Sequence, residues 1–146
     1  SYSQIVNIIS KLKTSVVLIG GVEEKEIAKK ILSNISRKNI FDFSGELSVG
    51  ESAYLMQNSK LNLTNDTGMM HIASAFNAPI ISFWGCTRPE LGFAPYLPKS
   101  SSVNLIAPNS DRPCSKHGKR CKIRANGCVK EIDEGIIFKT IKSLLK

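Results

Sequence analysis

Along the chain, short apolar runs alternate with stretches whose apolar residues recur at helical spacing, and glycine, proline or small polar residues mark the junctions. Ile5, Ile8, Ile9 and Leu12 predict a helix over residues 3–13. A strand follows over 15–19, apolar and β-branched as a strand covered on both faces is, and it ends at Gly20-Gly21. The next predicted helix, 23–35, has Ile27, Ile31 and Ile35 as its inner face and acids in its first turn, where the macrodipole favours them. Residues 39–43 read as a strand closed by Ser44-Gly45. Ser48 and Glu51 have capping-box spacing, so a helix is expected from Val49 to about Asn58.

The stretch 61–76 reads as a short strand to Thr64, an abrupt polar turn, and a helix continuing to Asn77. Met69, Ile72, Ala73 and Phe76 form one stripe, with His71, Ser74 and Ala75 on another face and Asp66 or Thr67 as the cap. Ala78-Pro79 ends that helix. Residues 80–84 give a strand stopping at Gly85, 86–102 a proline-rich loop, and 103–106 another strand. Asp133 caps a final helix whose inner face is Ile136, Ile137, Thr140, Ile141, Leu144 and Leu145. Such alternation implies an α/β fold, a parallel sheet with helices on both faces that binds ligands beyond the carboxyl ends of its strands. Gly20-Gly21, Gly45-Glu46-Leu47, Asp66-Thr67-Gly68 and Gly85-Cys86-Thr87 would all lie along that edge.

A helix that begins just past a strand leaves its first N–H groups without partners and points its positive end at the turn, which suits a phosphate. Gly68 permits close approach, and the Thr67 hydroxyl and His71 imidazole add donors. Asp66 would repel a diphosphate, so it is assigned to holding the turn or meeting a sugar hydroxyl. The plainer alternative is a capped α/β turn with a surface histidine. Strand-Gly20-Gly21-helix lacks a G-x-G-x-x-G fingerprint, although Glu23, Glu24 and Glu26 lie where a carboxylate could accept from ribose hydroxyls.

Composition narrows the partners. With 146 residues, 42% hydrophobic and 22% charged, the chain suits one folded domain and not a disordered one. No apolar run approaches the roughly 20 residues that span a bilayer. No export signal is seen and residue 1 is Ser, so a piece of a longer protein is expected, with its cysteines reduced in the cytoplasm. The net charge is +8, and its excess is concentrated in Arg112, Lys116, Lys119, Arg120, Lys122, Arg124 and Lys130, with no acid between them. An anionic partner is the natural complement: a nucleotide, a phosphorylated glycolipid, a membrane surface or nucleic acid.

The motif Asp66-Thr67-Gly68-x-x-His71-x-Ala73-x-Ala75, then Ala78-Pro79 and a strand ending Phe83-Trp84-Gly85, resembles the bacterial ADP-heptose:lipopolysaccharide heptosyltransferases, glycosyltransferase family 9. Strand-Gly20-Gly21 and the Gly45-x-Leu47-Ser48 turn extend the likeness to nearly the whole chain, as the second half of such an enzyme. The resemblance implies a Rossmann-like domain, the C-terminal half of a GT-B transferase, so that residues 1–146 are one nucleotide-sugar-binding domain lacking its N-terminal acceptor domain. It implies that Thr67, Gly68 and His71 hold the donor diphosphate, Asp66 shapes the loop against the sugar, backbone around Leu47 meets adenine, and Glu24 meets ribose. The expected reaction passes heptose from ADP-heptose to a lipopolysaccharide inner-core acceptor, inverting and metal-independent, with no cofactor. The base would lie in the N-terminal half, leaving no catalytic residue in this chain, which alone would be inactive. Partners would be the nucleotide sugar, an anionic glycolipid and the N-terminal domain, in the cytoplasm or against the inner face of its membrane.

Residues 109–130 resemble a basic, Cys-containing insertion found in some of these transferases. Cys114, Cys121 and Cys128 are separated by six residues each, and with His117 could form a four-ligand set, but tight C-x₂₋₄-C pairs are missing. The expectation is therefore that no metal binds, the cysteines packing a loop whose basic residues face acceptor phosphates or the interdomain cleft. Two other classes remain open. One is a related UDP-sugar epimerase; the other is a nucleic-acid-binding module using 112–130, against which stands the lack of any aromatic there for bases to stack on.

Overall fold

The computed structural model describes residues 5, 6, 8, 12, 14–33, 35, 39–108, 113, 114 and 128–146. The chain divides into two compact units, residues 1–54 and 55–146. The expected first helix lies largely outside the described residues; Ile5, Val6 and Ile8 are helical.

In the first unit, β1 (Val16–Leu18) pairs in parallel with β2 (Ile40–Asp42), Val16 opposite Ile40 and Leu18 opposite Asp42. Helix α1 (Lys25–Leu32), entered through a 3-10 turn at Val22–Glu24, is the crossover between them. Val6, Leu32 and Ile40 form the core, with Val16, Leu18, Ile31 and Ile35 packed against it. The inner face of α1 is thus rotated from the one expected: Ala28 and Leu32 are buried, while Ile27 is 55% exposed. Residues 28, 31, 32 and 35 satisfy the helical period as well as the isoleucines do, and the small Ala28 permits close packing. The β1 expectation also needs correcting, because the paired Val17 and Phe41 are 42% and 50% exposed, so one face of this sheet is open.

Helix α2 (Val49–Asn58) begins and ends where the sequence places it. The Glu51 carboxylate accepts from the Ser48 N–H at 2.8 Å and from the Ser48 hydroxyl at 2.7 Å, and Ser48 Oγ accepts from the Glu51 N–H at 3.2 Å. That reciprocal pair is a capping box.

In the second unit, β3 (Asn62–Asn65), β4 (Ile80–Trp84) and β5 (Val103–Ile106) form a parallel sheet with β4 central. All five residues of β4 are buried, the polar Ser82 included, as suits the central strand of a parallel sheet. Its polar atoms are paired: Trp84 Nε1 donates to Ser82 Oγ at 2.8 Å, and Ser82 Oγ donates to Asn104 Oδ1. Helix α3 (Gly68–Ala75) connects β3 to β4 and packs on both. Its buried residues are Met70, Ala73 and Ser74, whereas Phe76 is exposed, so the expected stripe is displaced by one position. Ser74 is inward because its hydroxyl donates to the Tyr96 carbonyl. Burial of a side chain the size of Met70 is worth about 1.5–3 kcal/mol and holds the helix in place. Helix α4 (Glu134–Leu144) closes the chain, capped by Asp133, whose carboxylate accepts from the Ile136 N–H at 2.9 Å. Ile137 and Ile141 are buried, but Ile136, expected inward, is 53% exposed.

The described elements make a parallel α/β architecture of the Rossmann-like kind. Within each unit the strands run in one direction, so the turns that follow them collect at one edge.

Candidate functional site

In the first unit the carboxyl edge carries two turns fastened together. The Gly45 N–H donates to the Gly20 carbonyl at 2.8 Å. Gly45 has φ +67°, and a Cβ there would sit 2.8 Å from Val22 Cα, so this position requires glycine for both conformation and space. Glu24 lies at the end of the 3-10 turn with its side chain over the glycine pair: a Cβ on Gly21 would be 3.0 Å from Glu24 Oε2. Glu26 points elsewhere, into an exposed 2.7 Å ion pair with Lys29 that holds its carboxyl below the usual range through the Lys29 hydrogen bond and charge. Of the neighbouring acids, Glu24 is the one whose carboxylate lies against the Gly20-Gly21 turn. Leu47 follows in the turn after β2, half-buried.

In the second unit Asp66, Thr67, Gly68 and His71 come together where β3 passes into α3. Thr67 occupies the N-cap position, with extended φ −144° and ψ 164°, but its side chain makes no capping bond. Its Oγ1 lies instead 3.1 Å from Thr64 Oγ1, which donates to the Asn65 carbonyl at 2.9 Å. The expectation of a side-chain cap on this helix is therefore not met at Thr67: the hydroxyl is drawn back toward the strand. The Met70 N–H is satisfied by the Thr67 carbonyl at 3.1 Å, which leaves Gly68 and Met69 as the first-turn amides that Thr67 does not cap. Nothing lies within 4 Å of a Cβ built on Gly68, so the flank of this first turn is open at that position. Thr67, Gly68 and His71 are exposed on the same first turn.

Asp66 is half-buried and takes a 3.4 Å bond from Thr87 Oγ1, which ties the turn after β3 to the turn after β4. The sequence places Thr87 on this edge without giving it a role, and the parallel pairing of β3 with β4 sets it beside Asp66. Chemically the arrangement offers amide donors, a hydroxyl, an imidazole and the positive end of a helix to an oxyanion, with a carboxylate set to one side.

Of the cysteine set, Cys114 and Cys128 are brought together, and the third member of their group is Cys86. His117 and Cys121 lie outside the described residues.

The sequence matches the family described as Glycosyltransferase family 9 (heptosyltransferase) over residues 1–124. The chain belongs to glycosyltransferase family 9. This family 9 chain is 28% identical over 108 residues to lipooligosaccharide heptosyltransferase 2 of Haemophilus influenzae, covering 72% of the chain and 31% of that protein. It is 30% identical over 95 residues to lipopolysaccharide heptosyltransferase 2 of Escherichia coli, covering 62% and 27%. It therefore spans about a third of the length of these curated relatives. Its fold is that of a glycosyl transferase family 9 protein from Veillonella parvula, with TM-score 0.80 at 23% identity over 99% of this chain and 40% of that one. The E. coli ADP-heptose lps heptosyltransferase II is similar at TM-score 0.76 and 20% identity, again over 99% and 40%.

Proposed function

We propose that this chain is the donor-binding half of a heptosyltransferase that moves heptose from ADP-heptose to a lipopolysaccharide inner-core acceptor, with inversion and without a catalytic metal or cofactor. The observation that carries the reading is the start of α3, where the Thr67 side chain makes no capping bond and the space beside Gly68 is open. A diphosphate there would accept from those amides, from the Thr67 hydroxyl and from His71. As the bond to heptose breaks, negative charge grows on the departing ADP, and donors already in place stabilise it without reorganising. Asp66, steadied by Thr87, would meet the sugar hydroxyls beside the phosphates.

Glu24 is the proposed ribose partner, supported by its position over the Gly20-Gly21 turn, and backbone around Leu47 the proposed adenine contact. The base that activates the acceptor hydroxyl would belong to an N-terminal acceptor domain, and the basic stretch 112–130 would serve the anionic glycolipid. Among the described residues no helix is long and apolar enough to cross a membrane. We place the protein in the cytoplasm, peripheral to the membrane in which its acceptor resides. Membership in a heptosyltransferase family gives no support to a UDP-sugar epimerase or to a nucleic-acid-binding module.

Calorimetry tests the reading. The chain should bind ADP more tightly than UDP and lose binding when Gly68 is changed to Glu, and it should transfer no sugar alone. A preference for UDP, or transfer by this chain alone, would overturn it.

A further inference from the structure

The end of β4 carries a group of side chains that the donor site does not use. Cys86, Cys114 and Cys128 have Sγ atoms within 4.8 Å of one another, with Cys114 and Cys128 buried and Cys86 half-buried. They come from three stretches far apart in sequence, so no single local turn produces the convergence. The backbone holds them there. The Cys114 N–H donates to the Cys86 carbonyl at 3.0 Å, and the Cys128 carbonyl accepts from the Glu131 N–H at 2.9 Å in the 3-10 turn Val129–Glu131. A Cβ on Gly85 would lie 2.8 Å from Val129 Cγ2 and 3.2 Å from Val129 N, so the 128–129 segment reaches the strand end only because residue 85 is glycine.

We propose that Cys86, Cys114 and Cys128 bind one zinc ion as thiolates, and that this ion clamps the 113–114 and 128–129 segments to the end of β4. Tetrahedral zinc with Zn–S bonds of about 2.3 Å sets its sulfurs roughly 3.8 Å apart, so three thiols within 4.8 Å need move by no more than about 1 Å. Binding releases three protons to solvent and involves no redox step. Three thiolates overcompensate the ion by one negative charge, and the run from Arg112 to Lys130, which contains seven cations and no acid, surrounds two of the ligands in sequence and offsets that excess. The fourth position is open to water or another ligand. The ion acts as a fastener: Thr87, which holds Asp66, is the residue after Cys86.

The set differs from the one suggested by spacing, because Cys86 replaces His117 and Cys121 is not required. The test is a cobalt titration of the whole protein, purified anaerobically with reductant and stripped of metal. An intense near-ultraviolet thiolate-to-cobalt band with visible bands of tetrahedral cobalt, saturating at one equivalent and removed by one equivalent of zinc, is expected. Cys86→Ser, at the most accessible of the three, should weaken cobalt binding at least tenfold while the variant keeps the wild-type far-ultraviolet circular dichroism. Cys121→Ser should leave the band in place. The proposal is overturned if wild-type protein develops no charge-transfer band. It is equally overturned if mass spectrometry finds two of the three joined as a disulfide after that purification, or if Cys121→Ser removes the band and Cys86→Ser does not.

Discussion

Helices α2 and α3 both start at the carboxyl edge of a parallel unit, and their first turns are finished in opposite ways. Before α2, Ser48 and Glu51 exchange hydrogen bonds and the helix start is closed by its own side chains. Before α3, Thr67 has the backbone of an N-cap, but its hydroxyl turns back to Thr64 and makes no bond to the first-turn amides, and the space beside Gly68 is open. A cap contributes typically about 1 kcal/mol of stability. Helix α1 also starts without a side-chain cap, so what sets α3 apart is that its uncapped first turn carries glycine and an exposed histidine. At α4 the Asp133 carboxylate closes the helix start, as the Ser48 and Glu51 pair does at α2.

Giving α3 the cap it lacks should have the largest effect. Thr67→Asp places a carboxylate where it can accept from the first-turn amides, so thermal stability should rise slightly while ADP affinity falls roughly 10–100-fold. That is the loss expected from removing one hydrogen bond to a charged group, about 1.5–3 kcal/mol. Calorimetry and a melting curve on the same sample read both signs. His71→Ala removes one donor and should weaken ADP about tenfold or less, without a change in melting temperature, since the imidazole is exposed. Asp133→Ala opens a closed helix start and should cost about 1 kcal/mol of stability in denaturant unfolding while ADP affinity stays as it was.

The smallest effect is that of pH on the closed start of α2. The Ser48 hydroxyl, then the Ser48 N–H, hold the Glu51 carboxyl below its ordinary value. A depressed folded value means that its contribution is complete above the unfolded pKa and is lost as pH falls through the folded one. Acid unfolding of Glu51→Gln should therefore converge with wild type below that range and differ from it above.

What the sequence made legible divides along the same line. Strand β4 was readable because a mostly apolar run stands between Pro79 and Gly85, and the capping box and the Asp133 cap because the interactions that make them lie within a few residues of each other. The turn Asp66-Thr67-Gly68 was readable for the same reason. The inner faces of α1 and α3 were misread because a neighbouring register fitted the period equally well: Leu32 enters the first-unit core with Ala28 buried a turn before it, and Tyr96 draws in Ser74. The alternating pattern put Thr87 on the same edge as Asp66, but the contact between them depends on which strands pair, and Cys86 beside Cys114 and Cys128 depends on what Gly85 admits.

The central claim is that the open start of α3 receives a diphosphate. Amide NMR of the ¹⁵N-labelled protein titrated with ADP tests it directly, with adenosine as the phosphate-free control. The Gly68 and Met69 N–H resonances should move most with ADP and remain in place with adenosine. Saturable ADP binding that leaves both resonances where they began would contradict the account.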